Sequence, residues 1–232
     1  MKRSITVITT FFLVIIGSLT VYLPNHVYGG QYEEDNVSFR WAFGAVVGPE
    51  NDRKLIAITR DTELKTGDKF KMLVELKKMC FVYLIFQDSL GEIQLLFPKN
   101  FKQFTDDYQL LKKYYMPAGD LWFALDENTG HEAFHLIASA QRLKTLEKLI
   151  SDYESSVTIN KTEYEKRIVD EIQTIKKQHK VLHAPAERPV QIGGSLRGTR
   201  KVPGQPFPDI DIVATGISTR NFFGRTFTID HK

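Results

Sequence analysis

The sequence predicts a mainly β (α+β) protein: an Ig-like β-sandwich with a two-helix insertion and C-terminal strands that return to the sheet. Three observations predict it. Apolar residues alternate with a period of two over 37–47 and 69–76, the mark of strands with one buried face. Residues 80–87 are apolar on both faces up to Gln87 and of strand length, as in the centre of a sandwich. Between 143 and 175 the apolar spacing lengthens to that of a helix, and alternation resumes near the C-terminus.

Taken in order, the chain begins with Lys2 and Arg3 before an uncharged apolar run from Ile5 to about Leu23, then Pro24 and Asn25. That is the layout of a signal peptide, with cleavage expected after Val27-Tyr28-Gly29. The run also has the ~17–25 residues of a bilayer span, so residues 1–29 are either a signal peptide or an uncleaved N-terminal anchor. Both place the body of the protein outside the cytoplasm, in the periplasm or secreted, or held at the inner membrane.

A sandwich domain is expected over 33–140. Its first strand is 37–47. Leu64-Lys65-Thr66-Gly67-Asp68 is a turn, and Phe70, Met72, Val74 and Leu76 form the buried face of the next strand. Residues 80–87 are followed by Asp88-Ser89-Leu90-Gly91, which closes a hairpin onto Ile93, Leu95 and Phe97; Pro98 ends that strand because it has no N–H for a ladder. Residues 100–120 lack a period and read as a long loop. Leu121–Leu125 and Glu132–Ala138 are two further strands flanking the turn Asp126–Gly130.

A helical pair is expected over 141–180, from the stripes Leu143, Leu146, Leu149, Ile150, Tyr153 and Tyr164, Ile168, Ile172, Ile175. Residues 181–208 are rich in Pro and Gly and read as an arm. Residues 209–232 resume strand character and are expected to rejoin the sheet begun by 37–47.

Composition excludes several function classes. The 232 residues carry 31 Lys+Arg against 28 Asp+Glu, a net charge of +3, too small an excess for a strongly basic nucleic-acid binder. A single Cys excludes a disulfide scaffold, and 42% hydrophobic with 25% charged residues excludes a disordered chain or a polytopic membrane protein. Cys80, inside the apolar run, reads as a buried inert thiol.

One motif suggests catalysis. His131-Glu132-Ala133-Phe134-His135 fits the zinc-peptidase pattern, in which two His four apart on a helix bind the metal and the Glu activates water. A third ligand is needed, and Glu154 is the nominee. The motif, however, follows a Gly turn and alternates as a strand, with Glu132, Phe134 and Leu136 on one side. At about 3.3 Å per residue, His131 and His135 then stand roughly 13 Å apart, too far to share one zinc ion. The expectation is therefore no catalytic residues, no metal and no cofactor, with a metallopeptidase using His131, His135 and Glu154 as the alternative. Gly193-Gly194-Ser195-Leu196-Arg197-Gly198 lacks the Lys and spacing of a phosphate loop, and Arg197, Arg200 and Lys201 read as a solvated basic cluster. Phe101, Phe104, Tyr108, Tyr114 and Tyr115 are the candidate interaction surface, since aromatics are enriched at interface hot spots; the competing expectation is that these rings fold back onto the core.

Leu64-Lys65-Thr66-Gly67-Asp68-Lys69-Phe70, the hairpin from Val82 to Leu-Leu-Phe-Pro-Lys-Asn at 95–100, Met116-Pro117, and Gly130 through Ser139 together resemble the family called domain of unknown function 4384, over about residues 55–150. The resemblance implies an extracytoplasmic β-sandwich-like module, often accessory to another domain, with no catalytic residues to carry over. It also implies a strand at 131–135. The expected function is a non-enzymatic binding or accessory module of the bacterial cell envelope, with an envelope protein as partner, no nucleic acid, and membrane contact only through an uncleaved N-terminal segment. A second alternative is a structural component that self-assembles through a free sheet edge.

Overall fold

The computed structural model describes residues 36–49, 52–180 and 207–232. The expected signal or anchor at 1–29, and the arm with Gly193–Gly198, Arg197, Arg200 and Lys201, lie outside the described residues.

Two sheets face each other across an aromatic core. In the first, β1 (Val37–Val47) lies between β10 (Thr215–Thr219) and β4 (Lys69–Leu76), with β7 (Lys113–Met116) beyond β4; β2 (Lys54–Ala57) also pairs with β1, and β8 (Phe123–Ala124) with β4. The second runs β3 (Thr62–Leu64), β11 (Phe222–His231), β9 (Gly130–Ser139), β5 (Phe81–Gln87), β6 (Ile93–Phe97). All pairings are antiparallel except β3 on β11. The protein is thus mainly β with a sandwich architecture. Alternation fixes the inner faces: Phe39, Trp41 and Phe43 of β1 and Phe70 of β4 meet Phe134 of β9 and Phe223 and Phe227 of β11, with Phe43 and Phe134 centroids 4.8 Å apart.

The C-terminal segment does return, and it serves both sheets. β10 pairs with β1, whereas β11 sits inside the opposite sheet between β3 and β9. β4 departs from the expected single buried face: Leu73 and Lys71 are buried as well as Phe70, Met72 and Val74. A 3-10 turn at Ile210–Val213 lies over that second face, so Ala42, Leu73 and Ile210 make a small outer core. Lys71 is kept there by the carbonyls of Gly119 and Leu121, which replace the water its ammonium loses.

The region 100–120 is not one loop. It holds a single helical turn, α1 (Gln103–Asp106), and β7, which pairs with Val74 and its neighbours on β4. Four residues are too few to show a period, and the same holds for β2 and β3. The strand expected at Leu121–Leu125 is reduced to β8.

Helices α2 (Lys144–Ser155) and α3 (Thr158–Lys180) cover the outer face of the second sheet. Two tyrosines fasten α2: Tyr83 of β5 donates to Glu147 and accepts from Leu143 N, and Tyr153 accepts from Ile93 N of β6. Arg142 completes the buried group, its Nε and Nη2 bonding both oxygens of Glu147. α3 is fastened by Lys176, which donates to Thr226 of β11, and by His179, stacked on Phe222 at 4.3 Å.

Candidate functional site

The residues named from sequence go to different places. β9 is extended throughout, so His131 and His135 are separated along a strand. His131 is 85% exposed beside Asp230, while His135 is 4% exposed beneath α3, with Nδ1 3.0 Å from the Thr226 hydroxyl. Glu154 is exposed on α2. Among the described residues no group of three or more His, Cys, Asp or Glu is placed to hold a metal ion.

Of the five candidate surface rings, Phe104, Tyr108 and Tyr114 are each 8% exposed and belong to the core. The Tyr108 hydroxyl donates to Cys80 O and accepts from Val82 N; the Tyr114 hydroxyl donates to Asp107 O and accepts from Gln109 N. With their polar ends satisfied by backbone, these rings can be buried. Phe101 and Tyr115 are half-buried.

The geometry singles out another place. Between the two sheets, at the end formed by the β5–β6 turn and the loop 125–129, there is a cleft of about 230 Å³. Its walls are Phe70 and Phe123 from the first sheet and Phe86 from the second; Asp88, Asp126 and Glu132 supply carboxylates, and Ser89, Leu90 and Asn128 stand among the turn residues. The turns are drawn together by a close approach of backbone: a Cβ on Gly130, whose φ is +145°, would come 2.6 Å from Ser89 Cβ. Leu90, 82% exposed, stands beside the opening.

Glu132 is the unusual member. It occupies an inward position of β9, one step before Phe134, and is only 8% exposed. No group among the described residues hydrogen-bonds its Oε2. Its Oε1 lies 3.8 Å from Nδ1 of the buried His231, beyond hydrogen-bond length, and that nitrogen is also without a partner. Burial pushes the Glu132 carboxyl above its usual range; His231 opposes this, and the charges of Asp126 and Asp88 add to it. Asp126 and Asp88 are themselves fixed by their turns. Asp88 Oδ1 accepts from Leu90 N and Glu92 N, and both Asp126 oxygens accept from Asn128.

His231 Nε2 lies 3.1 Å from the Thr66 hydroxyl, so hydroxyl, imidazole and carboxylate stand in a row. Backbone donors beside the row are already committed. The N–H groups of Thr66, Gly67 and Asp68 are spent on the carbonyls of Lys232, Leu125 and Lys65, which leaves none of the three to hold an oxyanion.

Residues 63–142 match the family described as a domain of unknown function (DUF4384). Over these residues the chain is similar to DUF4384 domains. Neither a curated protein nor a solved structure matches the chain. The match covers under half of the chain, yet every residue lining the cleft lies within it. The DUF4384 span does not close its own sandwich: β1, β10 and β11, all outside it, complete the two sheets, and His231 comes from β11.

Of the cleft residues, sequence reasoning picked out only Glu132, and only as a peptidase base. The readable signal was its place on the apolar side of an alternating strand, where an unpaired acid is costly. His231 and the two turn aspartates carried no such signal, because only the fold brings them to one end.

Proposed function

We propose that this protein is an exported, non-enzymatic binding module of the bacterial cell envelope, and that it holds an envelope partner at the cleft between the two sheets. The observation that carries this reading is Glu132: a buried carboxylate with an oxygen that has no hydrogen-bond partner among the described residues, lining a recess walled by three phenylalanines. Such an atom in a native fold calls for an explanation, and a group supplied by a ligand is one. The basic residues and uncharged apolar run at the N-terminus support export. The non-enzymatic reading is supported by the spent N–H groups around Thr66 and by the separation of His131 from His135 along β9.

The test is site-specific photo-cross-linking in cells, with a benzophenone amino acid replacing Leu90 and, as control, Val157, which is exposed after α2. A discrete adduct in the envelope fraction at Leu90, lost in Glu132→Gln and not formed at Val157, is expected. A protein found in the cytosolic fraction, or equal labelling from both positions, would overturn the reading.

A further inference from the structure

We infer that the cleft takes a primary ammonium group on an alkyl stem, the chemistry of a lysine side chain presented by a partner protein. The inference rests on the binding reading above and names the ligand of the same site.

Charge sets the sign of the ligand. Asp88, Asp126 and Glu132 line the recess, and its lining contains no basic side chain. The two aspartates lie close enough to raise the carboxyl of Glu132, so an anion entering here meets repulsion from three sides, whereas a cation relieves it. The charge does not suit a metal ion. Asp126 has spent both oxygens on Asn128, Asp88 Oδ1 caps its own turn twice, and the three do not form a chelating group. They act as a fixed negative field around the Glu132 carboxylate, of which Oε2 is closed off from solvent and Oε1 is left as the acceptor on offer.

That single acceptor distinguishes the cations. A guanidinium binds a carboxylate best through two parallel bonds. Glu132 Oε2 is closed off from solvent, and Oε1 faces His231 without bonding it, so a planar fork cannot take both oxygens. One oxygen suits the compact point charge of an ammonium, whose remaining donors can turn to Asn128 or Ser89 on the rim.

Size and walls set the remainder. About 230 Å³ is below the ~300–1,000 Å³ usual for cofactor-sized or drug-sized molecules and suits one long side chain. Phe70, Phe86 and Phe123 offer an alkyl stem apolar contact. Leu90 beside the opening is placed to meet the surface that carries the side chain.

The experiment titrates the full chain in detergent micelles with Nα-acetyl-lysine methylamide, n-pentylamine, Nα-acetyl-arginine methylamide and 1-pentanol, following the amide shifts of Asn128 and Glu132. Saturable shifts with the lysine derivative, at least as tight as with n-pentylamine and absent with 1-pentanol, are expected. Glu132→Gln should weaken both amines at least tenfold. Leu90→Lys, a change at an exposed position, should weaken them several-fold by placing a competing cation at the opening. Binding of n-pentylamine alone would overturn the protein-side-chain source in favour of a free amine. Equal binding of 1-pentanol, tighter binding of the arginine derivative, or no saturable shift would overturn the inference. In each of these cases the Leu90 adduct still reports independently on whether a partner binds at this end.

Discussion

His135 provides a strong link between burial and pH. Its imidazole is buried between β9 and α3, with Nδ1 on the Thr226 hydroxyl and Nε2 without a partner among the described residues. Lys176 donates to that same hydroxyl, so a cation stands close by. Burial first, and Lys176 second, pull the imidazole from the ordinary 6.5 down to about 4. The unfolded chain therefore takes up a proton near pH 6.5 that the folded chain refuses until about pH 4. The contribution is fully present above 6.5 and is lost as pH falls toward 4. At about 1.4 kcal/mol per pH unit the loss is about 3 kcal/mol, a large share of a typical domain's stability. Other groups titrate in the same window, so the prediction is a difference. His135→Met removes the titrating group and leaves Thr226 its bond from Lys176. Urea unfolding at pH 7 and pH 4, followed by fluorescence of the buried Trp41, should show the native protein losing about 3 kcal/mol more than the variant. Equal losses would refute the argument that His135 is held neutral by its burial.

Three further outcomes follow from the packing. Tyr83→Phe removes a buried donor to Glu147 and a part-buried acceptor for Leu143 N, and should cost about 1–3 kcal/mol in urea unfolding, with α2 loosening first in hydrogen exchange. Gly44→Ala places a Cβ 2.6 Å from Ile210 Cδ1 and 3.1 Å from Ile56 O; it should cost about 1–3 kcal/mol and make the segment around Ile210–Val213 more sensitive to protease. Cys80 is buried and its thiol is pushed up to about 11 by burial, so a thiol reagent at pH 8 should label it only at the rate of unfolding; prompt labelling of the native protein would contradict that placement.

How far the sequence alone reached is clear from particular elements. β1, β4, β5 and β9 were legible because each is long enough to display its period, and α2 and α3 because their apolar stripes match the face they bury. Short strands were not. β2, β3 and β7 are defined by what they pair with, and nothing in a three- or four-residue segment states its partner. The second buried face of β4 was hidden because its cover, Ile210–Val213, lies far along the chain. The aromatic segment at 101–115 was legible as important, but its hydroxyls answer to backbone groups such as Cys80 O and Val82 N, which only the fold brings near. Likewise the cleft joins β4, β5, β8 and β9 with two turns, and its basic neighbour His231 stands on the penultimate residue.

The claim that matters most is that Glu132 is an unpaired, buried acceptor awaiting a cation. Carbon-13 NMR of its carboxyl, titrated in the absence and presence of saturating n-pentylamine, measures this directly. In the free protein the carboxyl should titrate above the ordinary carboxylate range, because folding favours its protonated form; the stability this lends is present at low pH and lost as pH rises through that midpoint. With the amine bound, the midpoint should fall, since the ammonium favours the ionised form. An ordinary midpoint in the free protein, unmoved by the amine, would contradict the account.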